Sequence, residues 1–109
     1  MSTLLTVFTG PIVPLFSWKT EEDVVARAND TIYGLGASVW GSDLDQANRI
    51  AGKLQAGSVW VNAHFAPHPS AALAGHKQSG MGSASGVSGL QSYCSAQTLY
   101  LKKPKAHKL

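Results

Sequence analysis

The chain of 109 residues contains a single cysteine, Cys94. One thiol can form neither an internal disulfide nor a zinc cage of thiolates. Charged residues are also scarce, at 14%, where a soluble domain usually carries about a quarter. No apolar run approaches the roughly 18 residues needed to cross a membrane as a helix. No basic residue precedes Lys19, so the pattern of a secretory leader is missing. Length and composition together predict one small intracellular domain at most, cytoplasmic and with no membrane contact.

The basic charge that is present is concentrated at one end. Nine basic and six acidic residues give a net charge of +3, and Lys102, Lys103, Lys105 and Lys108 lie among the last eight positions. Without those four lysines, five basic and six acidic residues remain, a net of −1. Lys19, Arg27, Arg49, Lys53 and Lys77 are scattered singly along the body. A nucleic-acid reader clusters such residues and interleaves them with exposed aromatics, so no nucleic-acid partner is expected. The lysine tail reads as a solvated terminus.

The periodicity of what remains predicts alternating strands and helices. Residues 12–18, with Pro14 at an edge or bulge, read as a first strand. Thr20 then supplies an N-cap, and Glu21, Glu22 and Asp23 fill a first helical turn where carboxylates meet the positive end of the helix dipole. Val24, Val25 and Ala28 give that helix its apolar stripe, and Asn29-Asp30 ends it. Ala37-Ser38-Val39-Trp40 reads as a second strand. Ser42, with Asp45 three residues on, marks the start of a second helix. Leu44, Ala47, Ile50, Ala51 and Leu54 fall on one face of it, and Gly57 is placed as its left-handed C-cap. Residues 58–62 are β-rich and read as a third strand.

Beyond Ala63 the pattern changes. Residues 66–89 hold Pro67, Pro69 and five glycines among small residues, with no apolar stripe. They read as a long loop or arm, followed by one helical turn around Leu90, Tyr93 and Cys94. Residues 97–103 alternate as a terminal strand that needs an edge to pair with, in another subunit if its own domain offers none. The fold class is therefore α/β: strand, helix, strand, helix, strand, a glycine-rich arm and a terminal strand, with a largely parallel sheet. Trp18, Trp40 and Trp60 each fall in a strand, which suggests faces built to pack against more chain than this.

Four ordered segments carry a resemblance. They are Ala28-Asn29-Asp30-Thr31-Ile32-Tyr33-Gly34-Leu35-Gly36-Ala37-Ser38-Val39-Trp40, Leu54-Gln55-Ala56-Gly57-Ser58-Val59-Trp60-Val61-Asn62, Gly75-His76-Lys77-Gln78-Ser79-Gly80-Met81-Gly82 and Gly89-Leu90-Gln91-Ser92-Tyr93. In identity, order and spacing they resemble the aldehyde dehydrogenase superfamily, over residues 10–103. The resemblance implies the C-terminal part of the catalytic domain with its oligomerisation strand. The expected organisation is an unmatched segment at 1–9, a partial α/β catalytic domain at 10–65, a glycine-rich loop and arm at 66–95, and the oligomerisation strand with its basic tail at 96–109.

Enzymes of this superfamily oxidise an aldehyde to a carboxylic acid with NAD or NADP. A cysteine thiolate attacks the aldehyde and a glutamate activates the water that releases the acid. The resemblance places both groups upstream of everything matched, so the isolated chain is expected to be an inactive, truncated segment that needs no cofactor. It implies NAD or NADP for the intact enzyme, and homo-oligomers or hetero-oligomers with full-length family members. The alternative is a non-catalytic interaction module docking on full-length subunits. His64 and Phe65 fall where the family has a substrate-entrance loop; read from the residues alone they are plain surface loop. Leu73 replaces a phenylalanine that helps line the family's substrate tunnel. Other departures are Val7 and Thr9, where the family carries a glutamate and a phenylalanine for the cofactor, Ala74 in place of a glycine, and Ser83-Ala84 in place of an Arg-Glu pair.

The remaining candidates carry less. Cys94 lacks a local acid–base partner and reads as a small buried hydrophobe. His64, His68 and His76 could ligate a metal, but Pro67 and Pro69 interrupt the spacing and no carboxylate lies nearby in sequence. The Gly80-x-Gly82-x-x-x-Gly86 run is one residue away from a dinucleotide fingerprint and reads as arm flexibility. His107-Lys108-Leu109 resembles a weakened peroxisomal address, the alternative to a cytoplasmic location.

Overall fold

The computed structural model of the protein describes residue 11 and residues 13–103. Its first helix, α1 (Glu21–Asn29), begins where the sequence places it. Thr20 is extended at φ −129°, ψ 153°, and its Oγ1 accepts from the Asp23 amide at 3.2 Å. Arg27, in the last turn, donates to the Ser17 carbonyl at 2.8 Å and lies 5.3 Å from the centre of the Phe16 ring. No residue of α1 is fully buried.

A short β1 (Tyr33–Gly34) precedes β2 (Gly36–Val39), and α2 (Leu44–Ala51) connects β2 to β3 (Ser58–Val61). Strands β2 and β3 run parallel in the register Gly36↔Ser58 to Val39↔Val61. Parallel neighbours need a crossover, and α2 supplies it. It lays Ala47 and Ile50 against the pair, the two buried hydrophobic residues among those described. This βαβ unit is the core.

Two assignments at the ends of α2 are corrected. The N-cap is Asp43, not Ser42: one carboxylate oxygen accepts from the amides of Asp45 and Gln46, each at 3.0 Å. Both residue types cap well, but Asp43 sits directly before Leu44, where the apolar stripe starts. The helix also ends earlier, at Gly52 rather than Gly57. Tighter turns through Lys53 and Leu54 follow it, and Gly57 does different work. A Cβ on Gly57 would strike the carbonyl oxygen of Ala74.

The long arm contains more structure than expected. β4 (Leu73–Ala74) pairs antiparallel with β6 (Ser83–Ala84), β5 (His76–Lys77) pairs antiparallel with β1, and α3 (Gly86–Gln91) follows. In place of a largely parallel sheet, the described residues form three separate two-stranded sheets, one a parallel pair and two antiparallel two-residue ladders. Lys77 fastens the arm: its ammonium donates to the carbonyls of Asn29 and Thr31 at 2.6 and 3.1 Å. The Asn29 side chain in turn donates to the Lys53 carbonyl and accepts from the Gln55 amide.

Two expected strands do not form. Residues 13–18 and 95–103 adopt neither helix nor strand. A strand is stabilised by the neighbour it pairs with, and no edge among the described residues meets either one. Leu15, Phe16, Leu99, Tyr100 and Leu101 are correspondingly exposed. The Cα radius of gyration is 21.6 Å, against about 13 Å for a compact domain of this length. The unmatched segment at 1–9, including Val7 and Thr9, lies outside the described residues, as does the His107-Lys108-Leu109 tail.

Candidate functional site

The chemistry-bearing side chains converge where β2 and β3 end. Ligands of α/β folds commonly bind beyond the C-terminal ends of parallel strands, and here residues 62–66 turn back across that edge. Asn62 starts the turn with φ at 51°, a conformation that asparagine tolerates better than most residues. Its amide bridges to Gly41 twice, accepting from the Gly41 amide and donating to the Gly41 carbonyl, both at 2.9 Å. The two strand ends are thereby clamped side by side.

His64 and Phe65 occupy the middle of this turn and are exposed. The His64 Nδ1 lies 2.8 Å from the Ser38 hydroxyl on β2. The Trp60 indole N–H donates to the Ala66 carbonyl at 3.3 Å. Ring centroids of Trp60 and His64 are 6.1 Å apart at 67°, and those of Trp60 and Phe65 are 6.2 Å apart at 57°. The Trp60–His64 pair is edge-on, a geometry that aromatic quadrupoles favour, and the Trp60–Phe65 pair is tilted. Phe65 takes a φ of 46°, strained for a bulky residue.

Leu73 sits elsewhere, half-buried on β4. It lines an open cavity of about 350 Å³ together with Trp60, Ala66, Pro67, His68 and Pro69, among others. His64 and Phe65 are not in that lining. The structure therefore unites His64 with Phe65 and joins Leu73 to them only through Trp60. Acyl transfer by Ser38 and His64 would require an acid to orient the imidazole, and His64 hydrogen-bonds no carboxylate among the described residues.

The other candidates are resolved by geometry. No group of three or more His, Cys, Asp or Glu side chains able to hold a metal occurs among the described residues. His68 instead accepts from the Ser70 amide, and His76 lies in β5. Cys94 is exposed rather than buried, its Sγ 3.5 Å from the Leu90 carbonyl. The correction follows from the arm, which carries Cys94 past α3 into solvent instead of folding it onto a core. The described glycine run does not fit a dinucleotide. Helix α3 is only six residues long, and a Cβ on Gly86 would lie 3.0 Å from the Ser70 carbonyl oxygen and 3.1 Å from the Ala72 nitrogen. At Gly86 the chain's own backbone thus closes the approach, whereas Gly80 and Gly82 face open space. Among the described residues, the one perturbed ion pair lies outside the turn, between α1 and α2. The Arg49 guanidinium, 3.0 Å from Glu21, holds that carboxyl below the usual range with help from Gln46, and Glu21 raises Arg49 in return.

Ser38, Trp60 and Asn62 are the residues that sequence reasoning missed as parts of this turn. The polar Ser38 within a β-rich run, and an asparagine directly after β3, were the available signals.

The described residues thus form a βαβ unit closed by this turn, with an arm fastened to it through Asn29 and Lys77. The family model for the aldehyde dehydrogenase family matches residues 4–99, and the chain belongs to that family. The match begins inside the 1–9 segment that was expected to fall outside it. Human mitochondrial aldehyde dehydrogenase is 43% identical over 96 residues, which are 88% of this chain and 19% of that protein. A betaine aldehyde dehydrogenase of Bacillus subtilis (strain 168) is 39% identical over 98 residues, 89% of this chain and 20% of its own length. The crystal structure of betaine aldehyde dehydrogenase from Staphylococcus aureus in complex with NAD+ superposes with a TM-score of 0.74 at 40% identity. That superposition covers 77% of this chain and 17% of the other. The chain thus spans about a fifth of the relatives it matches. Among the described residues, no helix is long and apolar enough to cross a membrane.

Proposed function

We propose that these 109 residues form the C-terminal part of an aldehyde-oxidising catalytic domain, with residues 62–66 and Leu73 at the entrance used by the aldehyde. The observation that carries the reading is the turn at the C-terminal edge of β2 and β3, where Trp60 links His64 and Phe65 to a cavity walled by Leu73. The apolar lining favours an uncharged aldehyde. The reaction is oxidation of an aldehyde to a carboxylic acid, and NAD or NADP is held by residues outside those described. The thiol nucleophile and the general base also lie outside the chain, since its only cysteine, Cys94, is in the arm. Residues 96–103 pair with a sheet edge of another subunit, and the assembly works in the cytoplasm. The matches are to oxidoreductases and lend the docking-module alternative no support.

The test is to capture the native polypeptide with an antibody against residues 75–93 and assay aldehyde-dependent reduction of NAD and NADP. Turnover by captured material, and none by the purified 109-residue chain, is expected. Captured material with no aldehyde-dependent turnover would refute the reading. Turnover by the 109-residue chain alone would show that nucleophile and base have been misplaced.

A further inference from the structure

Phe65 holds a left-handed backbone that its bulk disfavours. Such strain persists only where the surroundings over-determine it, and it concentrates at ligand-handling sites. Here the constraints bracket the strained residue. On its N-terminal side, His64 is pinned to the Ser38 hydroxyl at 2.8 Å; on its C-terminal side, the Ala66 carbonyl is pinned by the Trp60 indole at 3.3 Å. Ser38 and Trp60 sit opposite each other in the β2–β3 register, so both pins rise from one rung of the parallel pair. Phe65 itself makes no hydrogen bond in this bracket and is 66% exposed.

We propose that Ser38 is a positioning residue that acts through His64 to hold the 62–66 turn closed and to present Phe65 at the aldehyde entrance. The inference rests on the entrance reading given above. The Ser38–His64 bond survives either imidazole tautomer, because a hydroxyl both donates and accepts. It fixes one end of a three-residue span, and the Trp60 indole reports on the other end. Releasing His64 lets Phe65 relax to a negative φ, which carries the Ala66 carbonyl off the indole.

The experiment is solvent exchange of the three tryptophan indole N–H groups, followed by NMR on the full 109-residue chain. Trp18 and Trp40 serve as internal controls. Trp60 should exchange more slowly than either. Ser38→Ala should raise Trp60 exchange about five-fold, the effect of one net hydrogen bond, and leave the other two unchanged. Ser38→Thr, which keeps the hydroxyl, should restore the slow rate. In a Phe65→Gly background the strain is absent, and Ser38→Ala should then change Trp60 exchange less than about two-fold.

A Trp60 rate equal to that of Trp40 in the unmodified chain would overturn the proposal. So would an unchanged rate in Ser38→Ala, an undiminished effect in the Phe65→Gly background, or a common rise of all three indoles, which would make Ser38 a determinant of the whole fold. The measurement needs no aldehyde, so it separates the two readings. A five-fold effect with unaltered aldehyde preference in the antibody-captured Ser38→Ala protein keeps the lock and removes the entrance. Altered preference without an exchange effect overturns the lock alone.

Discussion

Residues 36–61 and residues 66–103 are of similar hydrophobic content but order themselves differently. The first stretch closes on itself: four paired residues in each of β2 and β3, with Ala47 and Ile50 buried beneath α2. The second is held by side-chain fasteners and two-residue ladders, and leaves Met81, Val87, Leu90, Tyr93 and Leu101 exposed. A stretch that supplies both partners of its sheet and the helix between them can bury its own apolar face. One that finds only two-residue partners forms short ladders and turns and leaves its apolar side chains uncovered. The difference is one of topology rather than composition.

Ile50→Ala tests the self-sufficient half and carries the largest expected effect. Ile50 is 7% exposed, and truncating a buried isoleucine removes transfer energy and leaves a cavity. The thin core relaxes partly, so a loss of about 3 kcal/mol is expected in urea unfolding followed by circular dichroism. A loss below about 1 kcal/mol would mean that α2 contributes little and that the two halves are alike.

Gly57→Ala tests the seam between them. Gly57 meets the Ala74 carbonyl of β4, so a methyl group must push the arm away from the βαβ unit. A loss of about 2 kcal/mol is expected, in the range of overpacked sites. The seam reading also requires amide protection in β4 and β6 to fall while that of α2 is kept, read by hydrogen exchange.

Glu21→Gln is expected to do less. Because Arg49 and Gln46 hold the Glu21 carboxyl below its ordinary range, its contribution is fully present above about pH 4.3 and is lost as pH falls through the lowered folded value. The variant should therefore melt slightly below the parent at pH 7, and the gap should narrow as the pH falls below the ordinary carboxylate range. A gap that does not narrow on acidification would show that ionised Glu21 is not its source.

The same topological contrast decides what was legible in the sequence. Helix α1 and its Thr20 cap, α2, β2 and β3 each announce themselves through a local period, because their partners are near in the chain. The ends of α2 were misplaced onto residues of similar chemistry, Ser42 for Asp43 and Gly57 for Gly52. β4, β5 and β6 could not be read, since a two-residue ladder has no period. Residues 97–103 do alternate as a strand would, and residues 12–18 read as a strand without alternating, but a strand forms only where an edge meets it. In the candidate site, His64 and Phe65 were reached through family resemblance. Ser38 escaped notice because it touches His64 across 26 positions, a distance that no local pattern records.

Leu101→Ser is the smallest expected effect and the sharpest check on the comparison. Leu101 is 84% exposed and lies outside every element described. A substitution away from packed features is worth within about 0.5 kcal/mol, so the urea midpoint of the 109-residue chain should barely move. The side chain nevertheless belongs to an exposed apolar run, Leu99-Tyr100-Leu101, so its environment in the lone chain is open to test. If Leu101→Ser costs as much as Ile50→Ala, residues 97–103 fold onto the chain itself and the contrast between the halves disappears. If it costs nothing while Ile50→Ala costs about 3 kcal/mol, the stability of this chain resides in the βαβ unit, and residues 97–103 add nothing to it.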